Sequence, residues 1–307
     1  MLFQFLRPSK KKPQEQNQMA IAPLEPTKYP IEREYCYTGQ NACLINKFSE
    51  TNQQNLEWIE NMISLSAYMR EMNACINGTK KSNRPEPSTV NGMKCAHHTL
   101  FGHVYDWAGQ YRECRIAGRG QSHLDTKFVA NEMQRLSDSI RKTPLTRKTD
   151  AKTIAHELQE FCTQFNYIHP FVNGNGRTQM LLSVQLAKSA GYDLFLTPDD
   201  IALFDKARTS MYAGDSSPLE EIIASRLFRE DDPSDLHQAL KKGVAEKHAE
   251  LPSEDDLIRG SGNIGYAILI HDPDYPRRRA TGRTMPSFIQ KIIDKHTEPT
   301  EQEGPEP

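Results

Sequence analysis

Two helical apolar patterns, interrupted by a nine-residue stretch that carries a proline and two glycines, constrain this chain most. In AKTIAHELQEFCTQFNYI the residues Ile154, Leu158, Phe161, Phe165 and Ile168 recur at steps of three and four, the spacing of one face of an α-helix. Asp150 stands where a helix cap belongs. Pro170 then disfavours helical backbone at His169. After the glycines, TQMLLSVQLAKSAGY resumes the pattern and stops near Gly191, a natural C-terminal glycine. The intervening HPFVNGNGR, His169 to Arg177, is therefore a loop between two core helices, the second beginning close to Gly176 and Arg177.

Helical periodicity recurs in Leu56, Ile59, Met62, Ile63 and Leu65, and in Phe128, Met133, Leu136 and Ile140, so the fold is mainly α. Residues 1–30 hold five prolines among Lys and Gln, and 296–307 are acidic and proline-rich; both ends read as disordered, the last as a solvated tail. Residues 31–232 form the main domain. Residues 236–295 change character, with a β-like run from Tyr266 to Ile270, and read as a small appended α+β or β module.

A net charge of -2 over 307 residues supplies none of the basic field that nucleic-acid binding needs. Cys36, Cys43, Cys75, Cys95, Cys114 and Cys162 are scattered without a CxxC pair, a pattern of reduced thiols. The N-terminal apolar stretch is too short for a signal sequence and no window suits a membrane span. The chain is expected in the cytoplasm as synthesised; delivery into another cell by a dedicated secretion machine leaves no such mark and stays open.

The loop itself suggests chemistry. Gly174, Asn175 and Gly176 lie at a helix start, where main-chain N–H groups and the positive dipole end suit a phosphate. Glycine lets several N–H groups turn toward one anion, and Arg177 adds a planar cation. His169, at the other lip, has an ordinary pKa that lets it accept a proton near neutrality. Phe171 is the apolar peg expected to fix the loop between the helices. A plain glycine-rich turn remains the alternative for these residues taken alone.

HPFVNGNGRT resembles the HPFx(D/E)GNGR signature of the Fic domain family. YTGQNACLINKF and LFGHVYDWAGQYRECRI resemble two further segments of its bacterial toxin and effector members, so the likeness covers about residues 33–230. The resemblance implies a Fic-type helical bundle with a short β-hairpin flap, and transfer of AMP from ATP to a Tyr, Thr or Ser hydroxyl of a target protein. By that resemblance His169 is the general base, Gly174, Asn175 and Gly176 form the anion hole, and Arg177 holds the outer phosphates. The flap falls on ECRIAGRGQSH; there Arg115, Ile116, Ala117, Gly118 and Arg119 would dock a target segment by strand pairing.

Position 173 departs from the pattern. The family's acidic residue there coordinates Mg²⁺, and this chain has Asn173, whose amide oxygen brings no charge to a hard cation. Three outcomes stay open: a slower AMP transferase, an enzyme with another nucleotide or transferred group, or a nucleotide-binding or interaction module without catalysis. The family's inhibitory (S/T)xxxE(G/N) helix is not completed here: Glu60 and Glu303 precede Asn or Gly, but Leu56 and Pro299 stand four positions earlier. Inhibition would then come from a separate antitoxin-like chain or an unrecognised variant. His97 and His98 read as shaping a helix surface, and Arg277, Arg278 and Arg279 as a solvated basic turn.

Overall fold

The computed structural model describes residues 35, 43–78, 84–118, 121–142, 144–197 and 200–252. Asn52 caps the first helix with its side chain, accepting from the N–H groups of Gln54 and Asn55, and α1 (Gln53–Asn77) follows. Leu56, Ile59, Met62 and Ile63 are buried, as are Ser64, Ser66, Ala67, Tyr68 and Met69. The burial is wider than a single stripe because α1 packs against helices on several sides and becomes central to the core.

Next come α2 (Val90–Phe101), the paired strands β1 (Ala117–Gly118) and β2 (Gln121–Ser122), and α3 (Thr126–Lys142). On α3 the expected stripe needs one correction: Phe128 is 47% exposed, with the Lys127 ammonium over its ring, and Val129 is buried with Met133, Leu136 and Ile140. Steps of four, three and four fit Val129 to that face.

The two apolar runs form α4 (Ala151–Ile168) and α5 (Asn175–Ser189). Asp150 caps α4 by accepting from the Thr153 N–H at 3.0 Å. They pack against each other, and α5 also meets α1 and α2. The remaining elements are β3 (Tyr192–Leu194), α6 (Ile201–Tyr212), α7 (Ser217–Ser225), β4 (Leu227–Arg229) and α8 (Asp235–Glu250). The protein is mostly helical, with two small antiparallel pairs, β1 with β2 and β3 with β4. Strands of three residues carry too little alternation to be read from sequence.

Residues 236–252, expected to open an appended module, lie in α8 and the turn after it, and α8 packs along α1. His237 is fully buried: Nε2 meets Asp193 Oδ2 and Nδ1 the Asp232 carbonyl, each at 2.9 Å. Lys188 donates to the other oxygen of Asp193 at 2.9 Å. The Tyr266–Ile270 run, the basic turn and both terminal segments lie outside the described residues, as do Cys36 and Arg119.

Candidate active site

α4 ends on a residue of unusual backbone. His169 has φ 48°, in the left-handed region, which costs a non-glycine residue about 1–2 kcal/mol. Its N–H still donates to the Phe165 carbonyl at 2.9 Å, so it closes the helix while turning the chain. Its ring stacks on that of His123, the last residue of the ECRIAGRGQSH segment, with centroids 3.8 Å apart. By sequence His123 belongs to the flap, with no part in the site expected for its imidazole.

Phe171 is fully buried, its ring stacked on His97 of α2 at 3.8 Å and near Phe165 and Tyr111. Asn175 staples the loop: its amide accepts from the Phe171 N–H at 3.0 Å and donates to the Phe171 carbonyl at 2.8 Å. Its side chain is thereby committed to the loop, so any part it plays toward an anion falls to its main-chain N–H. Gly174 is the N-cap of α5 with φ 78°, and an added Cβ would lie 2.3 Å from the Phe101 ring. Gly174→Ala is therefore expected to destabilise the fold by about 2–4 kcal/mol, combining the left-handed penalty with overpacking. A lower denaturation midpoint at unchanged slope would show it.

His97 is not a surface residue as expected from sequence: it is fully buried. Nδ1 accepts from the Gly109 N–H at 2.8 Å, which leaves the proton on Nε2 to donate to the Asn173 carbonyl at 2.9 Å. Burial pushes its pKa down to about 3 from an ordinary 6.5. The unfolded chain protonates this group first, so its contribution to stability is complete above pH 6.5 and is lost as pH falls toward 3. Comparing unfolding free energies of wild type and His97→Gln between pH 4 and 6.5 should give a difference in slope approaching one proton, about 1.4 kcal/mol per pH unit.

The hairpin region meets this loop through His123, whose ring lies on that of His169. Ala117 and Gly118 pair with Ser122 and Gln121, Ile116 packs against the core, and exposed Arg115 forms a 3.3 Å ion pair with Asp125.

Arg177, near the start of α5, is already engaged. Nη2 forms an ion pair with Glu60 of α1, Nη1 donates to Asn61 Oδ1 at 3.0 Å and Ser64 Oγ at 2.6 Å, and the guanidinium lies over the Phe101 ring. Glu60 is 5% exposed. Its other oxygen accepts from the Tyr105 hydroxyl and, at 2.6 Å, from the Asn173 amide. Burial, and next the Glu60 charge, push the Tyr105 pKa well up. The (S/T)xxxE(G/N) pattern missed Glu60 because Leu56 stands at its first position. The usable signal was a carboxylate between Ile59 and Met62 on a buried stripe, which needs a cation partner.

Asn173 is oriented by both neighbours. Its Oδ1 accepts from the Gly174 N–H at 2.8 Å and its NH₂ faces Glu60. A protein-held Mg²⁺ does not fit this donor set, since the amide oxygen is used locally and the group pointing outward is a donor.

One loop between two core helices thus carries a histidine, helix-start amides and an arginine. Residues 87–187 match the model of the Fic/DOC family. The chain is 32% identical over 128 residues to a probable protein adenylyltransferase, y4lH, from Sinorhizobium fredii, covering 41% of this chain and 66% of that protein. It is 25% identical over 217 residues to the protein adenylyltransferase VbhT of Bartonella schoenbuchensis, covering 70% of this chain and 44% of the relative. The chain thus spans about two thirds of the first relative and less than half of the second. The crystal structure of BepC from Bartonella tribocorum, a VirB-translocated effector with bound AMPPNP, shares the fold at TM-score 0.54 and 17% identity, over 66% of this chain and 99% of that one. The chain belongs to the Fic/DOC family.

Proposed function

We propose that this chain is a protein adenylyltransferase, moving AMP from ATP to a Tyr, Thr or Ser hydroxyl of a target protein. The observation that carries this reading is the single loop in which His169 closes α4 and Arg177 stands in the first turn of α5, six residues past an asparagine-stapled peg. His169 takes the proton of the target hydroxyl; that oxygen attacks the α-phosphorus; the bond to the bridging oxygen breaks and pyrophosphate leaves. The N–H groups of Asn175 and Gly176 receive phosphate charge at the helix start, joined by that of Gly174 once it leaves Asn173 Oδ1, and Arg177 holds the outer phosphates. The β1 edge, with Arg115 and Ile116 before it and Arg119 after it, would register the target segment.

No step is assigned to a protein-held metal, because Asn173 presents a donor to Glu60. The resting site is closed by Glu60, which supplies from within the chain the acidic group that a separate inhibitor would otherwise bring. A toxin or translocated-effector setting belongs to the same proposal.

A second reading is favoured by the same closure: a nucleotide-binding or interaction module in which Arg177 stays sequestered. Labelled ATP, lysate proteins and the Glu60→Ala chain separate the two. Label on a lysate protein supports transfer; nucleotide bound without any label transferred supports the module.

A further inference from the structure

Arg112 follows the Trp107-Ala108-Gly109 turn and is 2% exposed. Its side chain makes four hydrogen bonds, all to main-chain carbonyls: Nε to His169 at 2.6 Å, Nη2 to Ile168 at 3.2 Å and to Leu124, and Nη1 to Cys114 at 2.9 Å. Two of these are the last carbonyls of α4, where a cation is favourable. The other two lie on the irregular segments that enter and leave the β1–β2 hairpin. The Arg112 main-chain N–H adds a bond to the Pro170 carbonyl at 2.9 Å, and the Leu124 N–H reaches the Tyr167 carbonyl at 3.3 Å.

We propose that Arg112 is the positioning residue that sets His169 and both stems of the flap as one unit. A base must meet its proton within hydrogen-bond reach, and a flap that registers the target must stand at a fixed place relative to that base. One guanidinium fork spans the three segments; a lysine ammonium, a point charge on a single tip, cannot. The left-handed φ of His169 persists only where the surroundings over-determine it, and Arg112 grips the peptide on its C-terminal side. Leu124 is next to His123, whose ring lies on that of His169, so the same residue grips His169 itself and the neighbour of the imidazole stacked on it. Burial lowers the Arg112 pKa, while the guanidinium stays charged at neutral pH.

The catalytic consequence rests on the adenylyltransferase reading; the coupling of loop to flap does not. Amide exchange of the full chain tests the coupling. In wild type the N–H groups of Arg112, His123, Leu124 and His169 should exchange in one opening with a common denaturant dependence. In Arg112→Met and Arg112→Lys all should exchange at least about tenfold faster, with α5 unchanged. Transfer should fall about 100-fold in kcat for Arg112→Met, the loss expected of a displacement near 1 Å, with ATP affinity held within about threefold and Arg112→Lys intermediate. Separate openings of flap and loop in wild type, acceleration of only one of them in the variants, or a change in KM alone would overturn the proposal. Should Arg112→Met not fold, the wild-type pattern and Arg112→Lys decide. If wild type transfers no AMP, the adenylyltransferase reading fails and the exchange pattern still judges the coupling.

Discussion

His169→Ala should reduce AMP transfer by about 10²–10⁴-fold, the range supplied by a positioned general base, and leave ATP binding within about threefold. The separation is expected because the imidazole lies on the far lip of the loop from the α5 amides and Arg177. Alanine alone is an imperfect probe, since His169 has φ 48° and alanine tolerates that backbone poorly. His169→Asn answers this: asparagine is enriched in left-handed conformations and cannot accept the proton at neutral pH. Both variants should fail equally in a labelled-ATP assay while retaining ATP binding by calorimetry. Transfer that survives in His169→Asn would remove the base role from His169, whatever the alanine variant does.

The architecture around this residue was legible because its causes are local. Asp150, the three-and-four spacing through Ile168, Pro170 and the glycines specify helix, stop and restart within forty residues, and α4 and α5 fold where those signals stand. Phe128 was misplaced for a related reason: at a helix start the phase of the apolar face is set by few residues, and Val129 satisfies it as well. What the sequence concealed was contact between distant positions. Arg112 reaches His169 across 57 residues and Glu60 reaches Arg177 across 117, and neither has a periodicity to betray it. Both are charged groups in buried settings, where desolvation demands a partner. Asking what pairs with each buried charge would have exposed them without identifying the partner.

Replacing Glu60 should open the site. Glu60→Ala is expected to tighten ATP binding about 10- to 100-fold and to raise transfer in parallel, because an outer phosphate no longer has to displace a carboxylate from Arg177. The guanidinium should keep its aim, since Asn61 Oδ1, Ser64 Oγ and the Phe101 ring still hold it. The cost is stability. Breaking a buried ion pair takes about 3–5 kcal/mol, lessened here because the Arg177 side chain is 16% exposed and water can reach it. A loss of about 2 kcal/mol would lower Tm by roughly 4–8 °C in a domain of this size, and ATP should restore more of it in the variant than in wild type. Asn173→Asp should act in the same direction without touching Glu60. It turns a 2.6 Å donor contact into two facing carboxylates, which costs a few kcal/mol at an effective dielectric near 20, and it adds the ligand type that Mg²⁺ prefers. Unchanged ATP affinity in both variants would show that Glu60 does not gate Arg177. A gain in Asn173→Asp alone, present only with Mg²⁺, would place the missing carboxylate and not the closed ion pair as the limit on this site.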